Sequence, residues 1–203
     1  RHTVSLAYSL QVLTAICLLA VMLTYMWYPD VGELWREPLD VMVAQLAEQS
    51  DEFSLAELKQ TEDWVIEFLP GLFVSSIMFG TMLSLFLGRW WQAYFYNKGG
   101  FAKEFQSLNL GKISALVVIT LMLIASVADS VFAVALVTVA LLLYTVQALS
   151  LLHAVIRIKQ LNAIWLFVVY VIMFFIPHLL LLLILAALVD PWLDIRQRLA
   201  KSV

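Results

Sequence analysis

Charge is scarce in this sequence. Only 13% of its 203 residues are Asp, Glu, Lys or Arg, whereas 63% are hydrophobic and the mean hydropathy is +0.93. Soluble domains carry roughly a quarter charged residues, so the composition argues against one. A single cysteine, Cys17, excludes an internal disulfide; inside an apolar run it reads as a small packing residue. No basic tract suggests nucleic acid. The sequence also lacks a nucleophile elbow, a zinc-protease helix motif, a Walker loop and a dinucleotide-binding glycine motif. No close pair of acids lies within an apolar run, as a proton-coupled pump requires. These absences argue against an enzyme and imply no metal or cofactor.

What is abundant is uninterrupted apolar sequence. Runs of about 20 residues recur, each long enough to cross a hydrocarbon core of about 30 Å as a helix. They are continuous, whereas a transmembrane barrel needs alternation. The expected fold is all-α: one polytopic transmembrane helix bundle with the lipid bilayer as its first partner. Five spans are expected, at about residues 4–27, 64–87, 113–128, 131–153 and 163–189. The chain opens at Arg1 without Met and shows no signal peptide, so further spans are expected upstream.

Residues 30–67 hold eleven of the fifteen acids and two bases, Arg36 and Lys59. Within this insertion Leu39, Met42, Val43 and Leu46 recur at helical spacing after Pro38, which predicts a short amphipathic helix. Ser54-Leu55-Ala56-Glu57 has capping-box spacing, and Thr61 is expected to cap the second span. The insertion reads as a solvated loop or, alternatively, as a lid over a site in the bundle.

Along the second span, Ser76, Gly80, Ser84 and Gly88 repeat every four residues. Small residues at this spacing predict close helix packing. Pro70-Gly71 predicts a kink. Asp129 is expected to turn the chain between the third and fourth spans. In the last span Pro177 frees a backbone carbonyl, and His178 follows with Tyr170 and Phe174 on its face. His178, Tyr170 and, on the fourth span, Gln147 are the candidate contacts for a small solute; a hydrogen-bonded packing histidine is the alternative for His178. Glu67, one turn into the second span, has no evident partner and is not assigned a role.

Between the second and third spans lies the most distinctive segment. Arg89, Trp90, Trp91 and Gln92 sit where a helix leaves a bilayer; Gly99-Gly100 makes a turn, and Phe101, Phe105 and Leu108 mark a short interfacial helix with Lys103, Glu104 and Gln106 opposite. Arg89, Trp90, Trp91, Gln92, Phe101, Glu104 and Phe105 are candidates for docking a membrane or cytoplasmic protein. Placing this loop in the cytoplasm sets Arg1, Arg89, Lys98, Lys103, Lys112, Arg157 and Lys159 on that side and Arg36, Lys59, Arg196, Arg198 and Lys201 on the other, a bias of seven to five.

Gly88-Arg89-Trp90-Trp91-Gln92-Ala93, Tyr96-Asn97-Lys98-Gly99-Gly100-Phe101, Glu104-Phe105 and Leu108-Asn109-Leu110 together resemble the YybS-like family of bacterial membrane proteins. That pattern has Pro where this chain has Lys98. The tail Asp190, Asp194-Ile195-Arg196 and Arg198-Leu199 is similar to the family's close. The resemblance implies a bacterial inner-membrane protein of unknown function with about eight spans in all. It implies a fold distantly similar to the substrate-binding subunits of energy-coupling-factor transporters. Small-solute binding or translocation is therefore expected, with a non-transporting scaffold as the alternative.

Overall fold

The structure, a computed structural model, describes residues 5–49, 54–128 and 130–201, and all regular structure among them is helical. The expected turn residue, Asp129, lies outside the described residues. The helices are α1 (Leu6–Trp27), a 3-10 helix (Val31–Trp35), α2 (Arg36–Gln49), α3 (Leu55–Tyr96), α4 (Gly100–Gln106), α5 (Gly111–Ala128), α6 (Val131–Ile158), α7 (Ile164–Phe175), α8 (His178–Leu193) and α9 (Ile195–Lys201).

Four of them, α1, α3, α5 and α6, are long and apolar enough to cross a membrane. α6 is the central one. Its buried face includes Ala135, Val139, Leu143, Tyr144 and Gln147, and α1, α3, α5 and α8 pack around it. The tightest approach is between α3 and α6. A Cβ on Gly71 would lie 2.8 Å from Ala135 Cα and 3.0 Å from Thr138 Cβ. Ser75, Met78 and Met82 continue that buried face of α3. The stripe expected to pack, Ser76, Gly80, Ser84 and Gly88, instead faces outward along α3, and Gly80 and Gly88 have no neighbour within 4 Å of an added Cβ. Spacing alone could not decide between the two faces, because both carry small residues.

α3 also starts earlier and ends later than expected. Ser54 closes a capping box with Glu57, and the helix continues unbroken through Pro70 to Tyr96. Thr61 is therefore not a cap; its hydroxyl donates to the Glu57 carbonyl at 2.9 Å. At about 1.5 Å per residue, the 42 residues of α3 measure about 63 Å, so the helix outruns a hydrocarbon core.

The expected single span over 163–189 is broken. α7 and α8 meet at 118° across Ile176 and Pro177. Pro177 has no N–H to continue α7, and it pushes Ile176 into a non-helical conformation (φ −126°, ψ 79°). The C-terminal end of α8 comes back to the end of the bundle where α6 finishes. There Gln147 donates to the Ala187 carbonyl at 2.8 Å, and Arg196 donates to the Gln106 carbonyl at 2.6 Å. The termini of α3, α4 and α6 and all of α9 thus share one end, the motif end. The insertion occupies the other, the cap end. Arg196, Arg198 and Lys201 lie with the motif and not opposite it, which overturns the expected seven-to-five division of charge.

Candidate functional site

At the cap end the insertion folds back over the bundle. Trp35 meets Phe73 at a ring separation of 5.8 Å, and Gly32 is buried against Ile66. Val43 is the buried residue of α2, whereas Met42 and Leu46 remain exposed. Arg36 pairs with Glu33 and bridges to Asp63 on α3 at 3.0 Å. The Arg36 hydrogen bond holds the Glu33 carboxyl below the usual carboxylate range. This pair is solvent-exposed, so it orients the cap more than it anchors it.

Beneath the cap lies a cavity of about 450 Å³, lined mainly by apolar side chains of α1 (Val21, Tyr25), the 3-10 helix (Val31, Leu34, Trp35) and α3 (Pro70, Phe73, Val74). Thr24 and Tyr25 are the lining residues that carry hydroxyls. The Thr24 hydroxyl already donates to the Ala20 carbonyl. The Tyr25 hydroxyl is buried and makes no hydrogen bond among the described residues. The Tyr25 ring packs on Phe132 at 5.2 Å and also borders a second cleft, beside Met22 and Ser130. Tyr25 is the inward-facing aromatic at this end of α1, whereas its neighbours Trp27 and Tyr28 are exposed.

None of the three expected solute contacts lines this cavity. His178 is exposed where α8 begins, because the break at Pro177 removes it from the bundle interior. Tyr170 lies 6.1 Å from the ring of His153, which packs in turn on Phe105 at 5.5 Å. Gln147 is fully buried, with both ends of its amide in use: its carbonyl accepts from Leu110 N–H at 3.0 Å, and its NH2 group donates to Ala187.

At the motif end the expected docking residues divide. Arg89 pairs with Glu104, whose carboxylate also accepts from Leu6 N–H at 3.0 Å, so α1, α3 and α4 are tied together. Phe101 and Phe105 turn inward onto Phe86. Arg89, Glu104, Phe101 and Phe105 therefore hold the chain's own helices together, and Arg89, Gln92, Phe101 and Glu104 also line an open cleft of about 340 Å³. Trp90 and Trp91 are exposed, and Gln92 accepts from Arg89 at 3.3 Å. The double glycine has a local cause. Gly99 takes φ +80°, in the left-handed region, and a Cβ on Gly100 would strike the Asn97 side chain.

A polar tie missed in the sequence closes this end. Asp190, 2% exposed, accepts from Ile195 N–H at 3.0 Å and faces Arg196 at 3.4 Å. Arg196 also donates to Ser150, whose hydroxyl donates to the Phe105 carbonyl. Burial pushes the Arg196 guanidinium down, and Asp190 opposes that shift. The signal available was an acid and an arginine six residues apart just after an apolar run.

Comparison with family models, curated proteins and solved structures gives no match.

Proposed function

We propose that the chain is a bacterial inner-membrane protein of the YybS-like kind that binds a small, mostly apolar solute under the cap. The carrying observation is the mainly apolar cavity of about 450 Å³ between α1, the 3-10 helix and α3. Its size falls in the range of small-molecule pockets, which are typically apolar with a few orienting polar groups. The membrane reading is supported by large apolar residues exposed all along α3 and α5, among them Phe79, Leu83, Leu116 and Ile124, which lipid would cover. In this reading α7 and α8 form a re-entrant pair and four helices span. The scaffold reading draws on the uncovered Ser76–Gly88 stripe, which leaves α3 open to another helix.

The test is mass spectrometry of small molecules retained by the purified protein. A retained solute is expected, with occupancy falling about tenfold in Val74→Phe, which fills the cavity, and unchanged in His178→Ala. No retained molecule, or equal occupancy in Val74→Phe, overturns the solute reading.

A further inference from the structure

A separate cleft, of about 360 Å³, opens at the motif end between α4, α6 and α9. Its polar wall consists of Lys103, Gln106, Ser107, Arg157 and Arg196, and no acid lines it. We propose that this cleft binds a phosphate group, presented by the headgroup of an anionic phospholipid or by a soluble phosphate compound.

Three cations from three helices converge on it. The Lys103 side chain makes no hydrogen bond or ion pair among the described residues. Arg157 donates to the Gln106 side chain at 2.7 Å, which leaves most of its five N–H donors available. Arg196 is pinned by Gln106, Ser150 and Asp190, so it is pre-positioned, and one N–H on each terminal nitrogen remains. Ser107 adds a hydroxyl whose donor already goes to the Glu104 carbonyl.

Two effects oppose an anion here. α4 and α6 both end at the cleft, and each helix C-terminus carries about half a negative charge. Asp190 lies behind Arg196 and offsets one cation. Against three full positive charges these leave about one net positive charge at the cleft, and the Gln106 carbonyl at the end of α4 is already covered by Arg196. The decisive features are therefore directional: guanidinium and ammonium donors converging on one cavity, each with spare N–H groups, suit phosphate oxygens. The positive-inside tendency alone would place cations at this end. It would not gather three around one cavity while Lys98 and Lys112 stay outside it.

The location at the end of the spans favours a lipid headgroup, and in that form the proposal rests on the membrane reading. The full chain is purified, placed in bilayer discs of phosphatidylglycerol or phosphatidylcholine, and released into native mass spectrometry. A phosphatidylglycerol adduct is expected, reduced about tenfold by Lys103→Gln with Arg157→Gln, the loss expected from a charge-assisted hydrogen bond. Lys103→Gln alone, which breaks no internal contact, is expected to give a smaller reduction in the same direction. Lys98→Gln with Lys112→Gln is expected to leave the adduct unchanged. In the soluble-source arm, inorganic phosphate raises the melting temperature of the wild type and not of the Lys103/Arg157 double variant. Either arm sustains the site. Absence of both effects, or equal loss in the Lys98/Lys112 pair, overturns it. A chain that stays soluble without detergent defeats the membrane reading alone, because the phosphate arm is still readable.

Discussion

Gln147 and His178 show how differently two polar residues in apolar runs can be used. Both stand out in the sequence for the same reason: a side-chain polar group in hydrocarbon needs a partner. What decides their roles is which helix each one faces, and that depends on contacts far apart in the chain. Gln147 sits on the most enclosed helix and joins Leu110 at the start of α5 to Ala187 in α8. His178 follows a proline that breaks its helix, so it faces outward. Replacing Gln147 by Leu keeps the volume and strands a buried N–H and a buried carbonyl. Each stranded group costs about 1–3 kcal/mol, so Gln147→Leu is expected to destabilise the bundle by about 2 kcal/mol or more, read as a lower midpoint in denaturant titration in detergent. His178→Ala serves as the comparison and is expected to shift that midpoint little.

The elements were legible wherever one local rule dominated. The apolar runs gave α1, α5 and α6 within a few residues, and the capping box at Ser54 and Glu57 marks where α3 begins. The joins were harder. Thr61 offered a second, equally good cap, and only the folded chain shows the helix passing through it. The packing face of α3 was harder still, because Gly71 and Ser75 on one side compete with Ser76, Gly80, Ser84 and Gly88 on the other. The Gly71 side fits against α6 so closely that one methyl would have to displace backbone. Overpacking of this kind costs about 1–3 kcal/mol. Gly71→Ala is therefore expected to lower the thermal midpoint clearly. Gly80→Ala, in open space on a helix, is expected to hold or slightly raise it, since alanine favours helix over glycine by about 1 kcal/mol. Equal losses at both sites would show that a partner helix covers the stripe in the assembled protein.

At the scale of the whole molecule, charge is sorted by end. Among the described residues Arg89, Lys98, Lys103, Lys112, Arg157, Lys159, Arg196, Arg198 and Lys201 gather at the motif end, and Arg36 and Lys59 at the cap end with most of the acids. The sequence could not reveal this, because residues 163–189 read as one span, even one kinked at Pro177, carry the last three cations to the opposite side. The bend at Pro177 returns them. Under the membrane reading proposed above, nine cations against two predict the motif end in the cytoplasm and the cap end outside. Cysteine labelling separates the two topologies. In a Cys17→Ala background, Lys98→Cys, Lys201→Cys and Lys59→Cys are treated with a membrane-impermeant maleimide in right-side-out and inside-out vesicles. Positions 98 and 201 are expected to label together in inside-out vesicles, and position 59 in right-side-out vesicles. If position 201 labels with 59 instead, α7 and α8 cross the membrane as one span and the nine cations do not share a side. The cleft between α4, α6 and α9 would then lose Arg196, so this measurement also decides whether its three cations can meet.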